Sequence, residues 1–179
     1  MEELEVPTEH LHETIHEHAH EAGGEKWILW VALSTALIAV LAAVAGLLGG
    51  HHSNEALIDQ IKASDQWSLY QAKGIKSEIN AATAKILAAN ENKEIGGDIK
   101  KKLARYKTEQ DSISRNAGFY AKSSEEHLDK HVFFAESVTI FQIAIAISAI
   151  AILTRRKLLW YASLLLATGG AVFLILGVL

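Results

Sequence analysis

Three long apolar runs constrain this chain more than any other feature. They cover residues 27–48, 132–153 and 158–179. Each matches the roughly 20 residues that a helix needs to cross a bilayer core of about 30 Å. Only helices and closed barrels satisfy all their backbone hydrogen bonds inside lipid, and runs of this length and continuity are typical of helices. The sequence therefore predicts an all-α membrane protein with three transmembrane helices.

A basic segment, Thr154-Arg155-Arg156-Lys157, separates the second and third runs. Short loops rich in Arg and Lys stay in the cytoplasm, so the N-terminus should be cytoplasmic and the middle of the chain outside. The Trp27/Trp30 and Trp160/Tyr161 pairs then mark one and the same membrane interface. The predicted order is an acidic, His-rich cytoplasmic leader (1–26), span 1 (27–50), an extracytoplasmic helical hairpin (51–131), span 2 (132–153), a basic cytoplasmic loop (154–157) and span 3 (158–179).

The polar middle of the chain has the pattern of a long antiparallel coiled-coil hairpin between the first and second spans. Asn54 is the expected N-cap of its first helix, and residues 90–97 supply the turn. No helix breaker lies between Lys122 and Leu153, so we expect the second helix to run on into span 2. Apolar residues three and four apart predict two seams: Ala72, Ile75, Ile79, Ala82, Ile86 and Ala89 in the first, and Ile99, Leu103, Tyr106, Gln110, Ile113, Ala117, Tyr120, Ser124 and His127 or Leu128 in the second.

Surplus hydrophobic residues and small residues both indicate self-association. Hydrophobic residues off the predicted seams favour packing between hairpins of several subunits, namely Trp67, Leu69, Tyr70, Leu87 and Phe119. Small residues four apart let membrane helices approach closely. The sequence therefore predicts a homo-oligomer in the lipid bilayer, packed through Ala42, Gly46, Gly50, Gly169 and Gly170.

Two polar residues in the second run are candidates for an ion pathway. They are Glu136 and Gln142. An ionisable group inside the hydrocarbon layer is usually functional. The alternative is that Glu136, about one turn into the run, simply lies at the membrane interface.

Nine histidines and no cysteine restrict any metal site to imidazole and carboxylate ligands. His12, His16 and His20 would share one face of a leader helix and could chelate Zn or Ni; the alternative is a leader whose imidazoles only titrate near neutral pH. A second candidate site lies at the outer membrane surface, where the predicted hairpin would gather four further histidines. These are His51, His52, His127 and His131.

Residues 49–57, GGHHSNEAL, and residues 62–73, KASDQWSLYQAK, carry a resemblance. The chain resembles a bacterial family of small membrane proteins known only as a domain of unknown function. That resemblance implies an inner-membrane protein and brings no activity with it. It also implies a shared packing or contact surface, for which the candidates are Asp65, Gln66, Trp67, Tyr70, Gln71 and Lys73.

The remaining residues argue against several classes of function. The net charge of −4 argues against nucleic-acid binding, which needs a basic surface. No nucleophile stands beside a base, no glycine loop would cradle a phosphate and no carboxylate pair has a scaffold, so we expect no enzyme. A self-associating structural or scaffolding membrane protein is the first hypothesis. An oligomeric channel or ion carrier is the second, and metal binding by the leader is the third.

Overall fold

The computed structural model describes the backbone of residues 26–89 and 93–179, and the side chains of residues 26–87 and 97–179. These residues form three helices, α1 (Lys26–Ala89), α2 (Lys93–Thr154) and α3 (Lys157–Val178). Each contains a stretch long and apolar enough to cross a membrane, as in a multi-pass membrane protein. The predicted all-helical, three-span composition is confirmed at that level.

Helices α1 and α2 run through positions where the sequence predicts an interruption. Helix α1 continues across Gly49-Gly50 and Asn54, so the predicted N-cap at Asn54 is wrong. Gly49 is needed for space, since a Cβ there would lie 3.2 Å from the Cβ of Phe134. Gly96-Gly97 are helical residues of α2, so the predicted turn over residues 90–97 is wrong at these two glycines. Residues 90–92 lie outside the described residues. The expectation that α2 continues without a break from Lys122 to Leu153 is confirmed.

The chain divides into two compact units. Residues 26–53 and 129–179 form what we call the span unit, and residues 54–128 form the middle unit. The span unit contains the three apolar runs, and the middle unit contains the polar parts of α1 and α2.

Two clusters of buried side chains hold the span unit together. In one cluster, Ile28 and Val31 of α1 pack against Ala149 and Ile152 of α2, with Trp27 and Trp160 alongside. In the other, Ile38 of α1 packs against Phe141, Ala144 and Ile145 of α2, and residues of α3 cover them. Lys157 lies 5.7 Å from the centre of the Trp27 ring. Trp27, Trp160 and the basic segment therefore lie at the same end of this unit, as predicted.

The link between α2 and α3 is a tight, hydrogen-bonded turn. Arg155 has a φ of 51°, in the left-handed region that favours glycine. The amide of Arg155 bonds to the Ile152 carbonyl at 3.2 Å, and the amide of Arg156 bonds to the Ala151 carbonyl at 3.1 Å. This pair of bonds is the Schellman arrangement that closes a helix C-terminus.

In the middle unit, residues near the start of the α1 segment contact residues near the end of the α2 segment. Ser124 donates a hydrogen bond to the Ala56 carbonyl at 2.7 Å, and Lys73 donates one to Glu109 at 2.5 Å. The two helical segments therefore run in opposite directions along each other.

The seam residues predicted on α2 are buried or half-buried at nearly all positions, whereas the described seam residues predicted on α1 are exposed, so that α1 seam is wrong at them. The side chain of Ala89, the last residue of the predicted α1 seam, lies outside the described residues. Ile99, Ile113 and Ala117 of α2 are buried, while Leu128 is 52% exposed. On α1, Ile75, Ile79 and Ile86 are 62%, 60% and 64% exposed. The face of α1 turned towards α2 is a different one, which we call the inner seam. It consists of Ala56, Asp59, Ala63, Gln66, Tyr70, Lys73, Ser77, Asn80, Ala84 and Leu87, all buried or half-buried.

Candidate functional site

A buried carboxylate, Asp59, lies in the inner seam near one end of the middle unit. Asp59 is only 6% exposed. Lys62 donates a hydrogen bond to its Oδ1 at 2.8 Å, and Ser123 donates one to its Oδ2 at 2.6 Å. Both oxygens of the buried charge are therefore satisfied, as burial of a carboxylate requires.

These bonds change the acid–base behaviour of both partners. The hydrogen bonds from Lys62 and Ser123 lower the pKa of Asp59 below its ordinary value of 3.8, against the opposing effect of burial. The positive charges of Lys62 and His127 lower it further. The hydrogen bond to Asp59 in turn raises the pKa of Lys62 above 10.5. Asp59 and Lys62 thus form an ion pair across the whole physiological pH range.

A second polar contact lies further along the inner seam. The ammonium of Lys73 bonds to Glu109, which also contacts Arg105 at 3.3 Å. The bond from Lys73 lowers the pKa of Glu109. Lys73 also lies 5.5 Å from the centre of the Tyr106 ring. Its charge is therefore held by one anion and one aromatic face.

The six motif residues proposed as a contact surface divide between two faces of α1. Gln66, Tyr70 and Lys73 belong to the inner seam, and the Tyr70 carbonyl accepts a hydrogen bond from Gln110 at 3.3 Å. Asp65, Trp67 and Gln71 are exposed. The rings of Trp67 and Tyr70 meet edge-on at 5.5 Å between their centres. Part of the motif thus holds the two helices together, and part is free for a partner.

The isoleucines expected in the α1 seam form an exposed apolar row instead. We call this row the outer stripe: Ala72, Ile75, Ile79, Ala82 and Ile86, all exposed. Each residue lies two positions after one of the inner seam, about 200° around the helix. The outer stripe therefore points away from α2.

Three of the four histidines predicted at the outer membrane surface belong to the span unit, and their contacts differ from one another. His131 Nδ1 lies 2.9 Å from the Gly49 carbonyl oxygen. The ring of His52 stacks on Phe134 at 5.5 Å, and His51 lies 5.4 Å from His52. His127 belongs to the middle unit.

These contacts do not assemble a metal site. Among residues 26–87 and 97–179, no group of three or more histidine, aspartate and glutamate side chains is placed to hold a metal ion. The predicted site of His51, His52, His127 and His131 stays a prediction; in the structure His131 contacts a carbonyl oxygen and His52 an aromatic ring. His12, His16 and His20 lie outside the described residues, so zinc or nickel binding by the leader stays a prediction.

Glu136 lies on the outer surface of the span unit. It is exposed and shares a shallow groove of about 360 Å³ with His131, Thr139 and Phe173. On the same helix, Phe134 precedes Glu136 and Phe141 follows it, and both phenylalanine rings pack against α3. Glu136 thus stands level with the packed part of the bundle. Gln142 is half-buried.

The small residues of the spans serve two different purposes. A Cβ on Gly170 would lie 2.9 Å from the Phe141 ring, so its close contact is made inside the chain. A Cβ on Gly50 or Gly169 would have no such neighbour within 4 Å; Gly46 and Gly50 are exposed, and Gly169 is half-buried. The predicted oligomer packing therefore has Gly46, Gly50 and Gly169 available on the surface of this unit, with Ala42 half-buried beside α2.

Buried hydroxyl groups are the contacts in the spans that the sequence pattern did not reveal. Ser148 donates to Ser163 at 2.8 Å, Ser163 donates to the Trp160 carbonyl, and Ser137 donates to the Gly170 carbonyl at 2.9 Å. Every buried side-chain nitrogen and oxygen in the described part of the chain has a partner. The sequence signal that could have indicated these hydrogen bonds is the occurrence of serine among alanines on one face of a span.

A family model described as Domain of unknown function (DUF4337) matches residues 27–179. The chain belongs to this family. The match includes all three apolar runs and the polar middle of the chain, and it begins after the acidic leader. Membership in the DUF4337 family assigns no activity. Searches of curated proteins and of solved structures gave no match.

Proposed function

We propose that this protein is a structural, non-enzymatic protein of the bacterial inner membrane that self-associates. In this proposal α1 and α2 form an antiparallel coiled-coil hairpin in the periplasm, and the N-terminus and residues 154–157 face the cytoplasm. The three apolar runs, the basic turn at Arg155 and the aromatic residues beside it support this orientation.

One observation carries the self-association. The middle unit lines its inner seam with polar groups and leaves three isoleucines of α1 at least 60% exposed. A coiled coil is stabilised by apolar residues at its contact positions, so the better of the two seams on α1 lacks a partner within the described chain. An assembly of several chains would bury it.

The mass of the protein in its native lipid tests self-association. We expect particles extracted with an amphipathic copolymer to contain several chains by light scattering, because the exposed isoleucines and glycines would be covered. The number of chains per particle is also compared between two triple variants. One removes the exposed isoleucines by Ile75→Ser, Ile79→Ser and Ile86→Ser. The control changes the exposed face of α2 by Thr108→Ala, Ser112→Ala and Lys122→Ala. A single chain per particle for the unmodified protein overturns the proposal.

Labelling in intact cells tests the orientation. The chain has no cysteine, so a single introduced cysteine reports its own position. Lys101→Cys should react with a membrane-impermeant maleimide once the outer membrane is permeabilised, whereas Thr154→Cys should react only after the cells are lysed. The reverse pattern would place the middle unit in the cytoplasm.

Glu136 supports a second candidate function, an ion conduit. A charged side chain at the centre of a bilayer costs about 2.5–3.5 kcal/mol, so intramembrane carboxylates usually face protein or water. In an assembly, the groove around Glu136 would meet a neighbouring chain or line a water-filled path. Ion flux in liposomes that Glu136→Gln changes, and that Glu125→Gln in the middle unit does not, would favour the conduit. Equal flux from protein-free liposomes would exclude it.

A further inference from the structure

The outer stripe has a spacing that specifies the kind of partner it fits. Its five residues follow one another at intervals of three, four, three and four. Apolar residues at this average period of 3.5 match the seam between helices that wind around each other with a left-handed twist. The partner is therefore another α-helix of similar pitch.

Lipid does not account for the outer stripe. Its first residue, Ala72, comes 24 residues after Leu48, where the apolar run of α1 ends. That separation is longer than a complete membrane span of about 20 residues. A helix lying on a membrane surface would also carry rows of Lys and Arg on its other face, whereas the other face of α1 here is the inner seam against α2.

The exposed face of α2 is a poor partner for the outer stripe. Opposite the α2 seam it presents charged side chains along most of its length. These would lose their hydration against isoleucine without gaining a counter-charge. The exposed residues of that face are Lys101, Arg105, Thr108, Ser112, Arg115, Phe119, Lys122 and Glu126.

A second copy of the outer stripe fits best, in the parallel direction. All copies of a membrane protein insert the same way, so their α1 helices point in the same direction. Exposed Lys76 and Glu78 flank the stripe on opposite edges, at the positions that coiled coils use for charge pairing between helices. In a parallel contact the Lys76 edge of one helix meets the Glu78 edge of the next.

We infer that the outer stripe packs against the same stripe of neighbouring copies of this chain, in parallel and in register. This inference rests on the proposed self-association and names its contact surface. Ile75 occupies one of the two core positions of the repeat, and Ile79 and Ile86 occupy the other. Isoleucine at both positions favours assemblies of about three or four helices over dimers. The α1 helices thus form the centre of the assembly, and α2 lies on its outside.

A cysteine scan of α1 in native membranes tests the inference. In an in-register parallel contact each stripe residue faces its own equivalent, within the short Cα separation that a disulfide needs. Under mild oxidation, single cysteines at the stripe positions 72, 75, 79, 82 and 86 should give at least about five-fold more covalent dimer than cysteines at Ser77, Asn80 and Ala84. Ala104→Cys, an exposed position on α2, is the control for random collision.

The cysteine scan and the particle mass together test two levels of the proposal, self-association and the contact through the outer stripe. Several chains per particle with a three-four pattern of crosslinks support both levels. Several chains per particle with crosslinks that peak at Ala104, or that follow no period, overturn the stripe contact and leave self-association standing. Stripe cysteines that fail to crosslink and are shielded from a water-soluble label only when lipid is present would assign the stripe to the membrane surface. One chain per particle overturns both levels.

Discussion

Gly177 lies directly under the ring of Phe134. A Cβ built on Gly177 would stand 2.9 Å from Phe134 Cε1, and the same relationship holds between Gly170 and Phe141, also at 2.9 Å. Both phenylalanines are almost fully buried, at 1% and 0% exposure. Helix α3 can therefore approach α2 this closely only where it has no side chain.

We expect Gly170→Ala and Gly177→Ala each to destabilise the span unit by about 1–3 kcal/mol, the usual cost of overpacking a buried contact. Gly169→Ala is the matched control, because apart from its chain neighbours and its own helix backbone no atom lies within 4 Å of its Cβ position. That control should be neutral or slightly stabilising, since alanine is the better helix former. Unfolding in mixed detergent micelles provides the measurement. Equal losses at Gly169 and Gly170 would contradict the packing described above.

The hydrogen bond between Ser148 and Ser163 should show a measurable coupling between two spans. The hydroxyls are 2.8 Å apart and fully buried. Interhelical hydrogen bonds in membrane proteins contribute about 0.6 kcal/mol on average. A double-mutant cycle with Ser148→Ala and Ser163→Ala should return a coupling of about that size. Ser68→Ala, an exposed serine that bonds only within its own helix, is the control. A coupling of zero would mean that the bond does not hold the spans together.

The stability of the middle unit should depend on Asp59 in a pH-dependent way. Because the pKa of Asp59 is lowered on folding, its contribution is fully present above about pH 4–5 and is lost as the pH falls through the folded-state pKa. Asp59→Asn should therefore lower the urea midpoint at about pH 6, and the difference from the unmodified protein should shrink at about pH 3. Far-UV circular dichroism follows the transition.

Asp65→Asn is the control for that experiment, since it removes an exposed carboxylate from the same helix. A difference that stays constant down to acid pH would show that Asp59 acts through packing and not through its charge. At the alkaline limit the sign reverses for Lys62. Its raised pKa makes its contribution complete below 10.5 and lost as the pH rises through the folded-state value.

Replacing Arg155 should separate backbone strain from membrane orientation. Its φ of 51° disfavours a side chain by about 1–2 kcal/mol. We expect Arg155→Gly to stabilise the turn by about 1 kcal/mol, while Arg156 and Lys157 keep the orientation. Arg155→Val should destabilise it, because a β-branched side chain tolerates this conformation least. Thermal unfolding measures the first effect and cysteine labelling measures the second. A loss of stability in Arg155→Gly would contradict the assignment of strain.

Much of the span unit could be predicted from the sequence because hydrophobic length is a local property. Twenty apolar residues have few alternatives to a membrane helix, whatever their neighbours are. The position of Trp27 and Trp160 at one end follows from the same pattern. Which of Gly169 and Gly170 makes the close contact with α2 could not be predicted locally, because it depends on which of the two adjacent residues faces Phe141.

The sequence by itself determined three apolar helices, the continuous α2 and the face that α2 turns inward, where Ile99, Ile113 and Ala117 have no apolar competitor. Only the tertiary structure decided the face of α1. That helix carries two rows at the same period, two residues apart, and hydrophobicity alone favours the isoleucine row. The polar row faces α2 because hydrogen bonds form there between Asp59 and Ser123, between Lys73 and Glu109, and between the Ala56 carbonyl and Ser124. Such pairing depends on residues more than thirty positions apart, which no local pattern encodes.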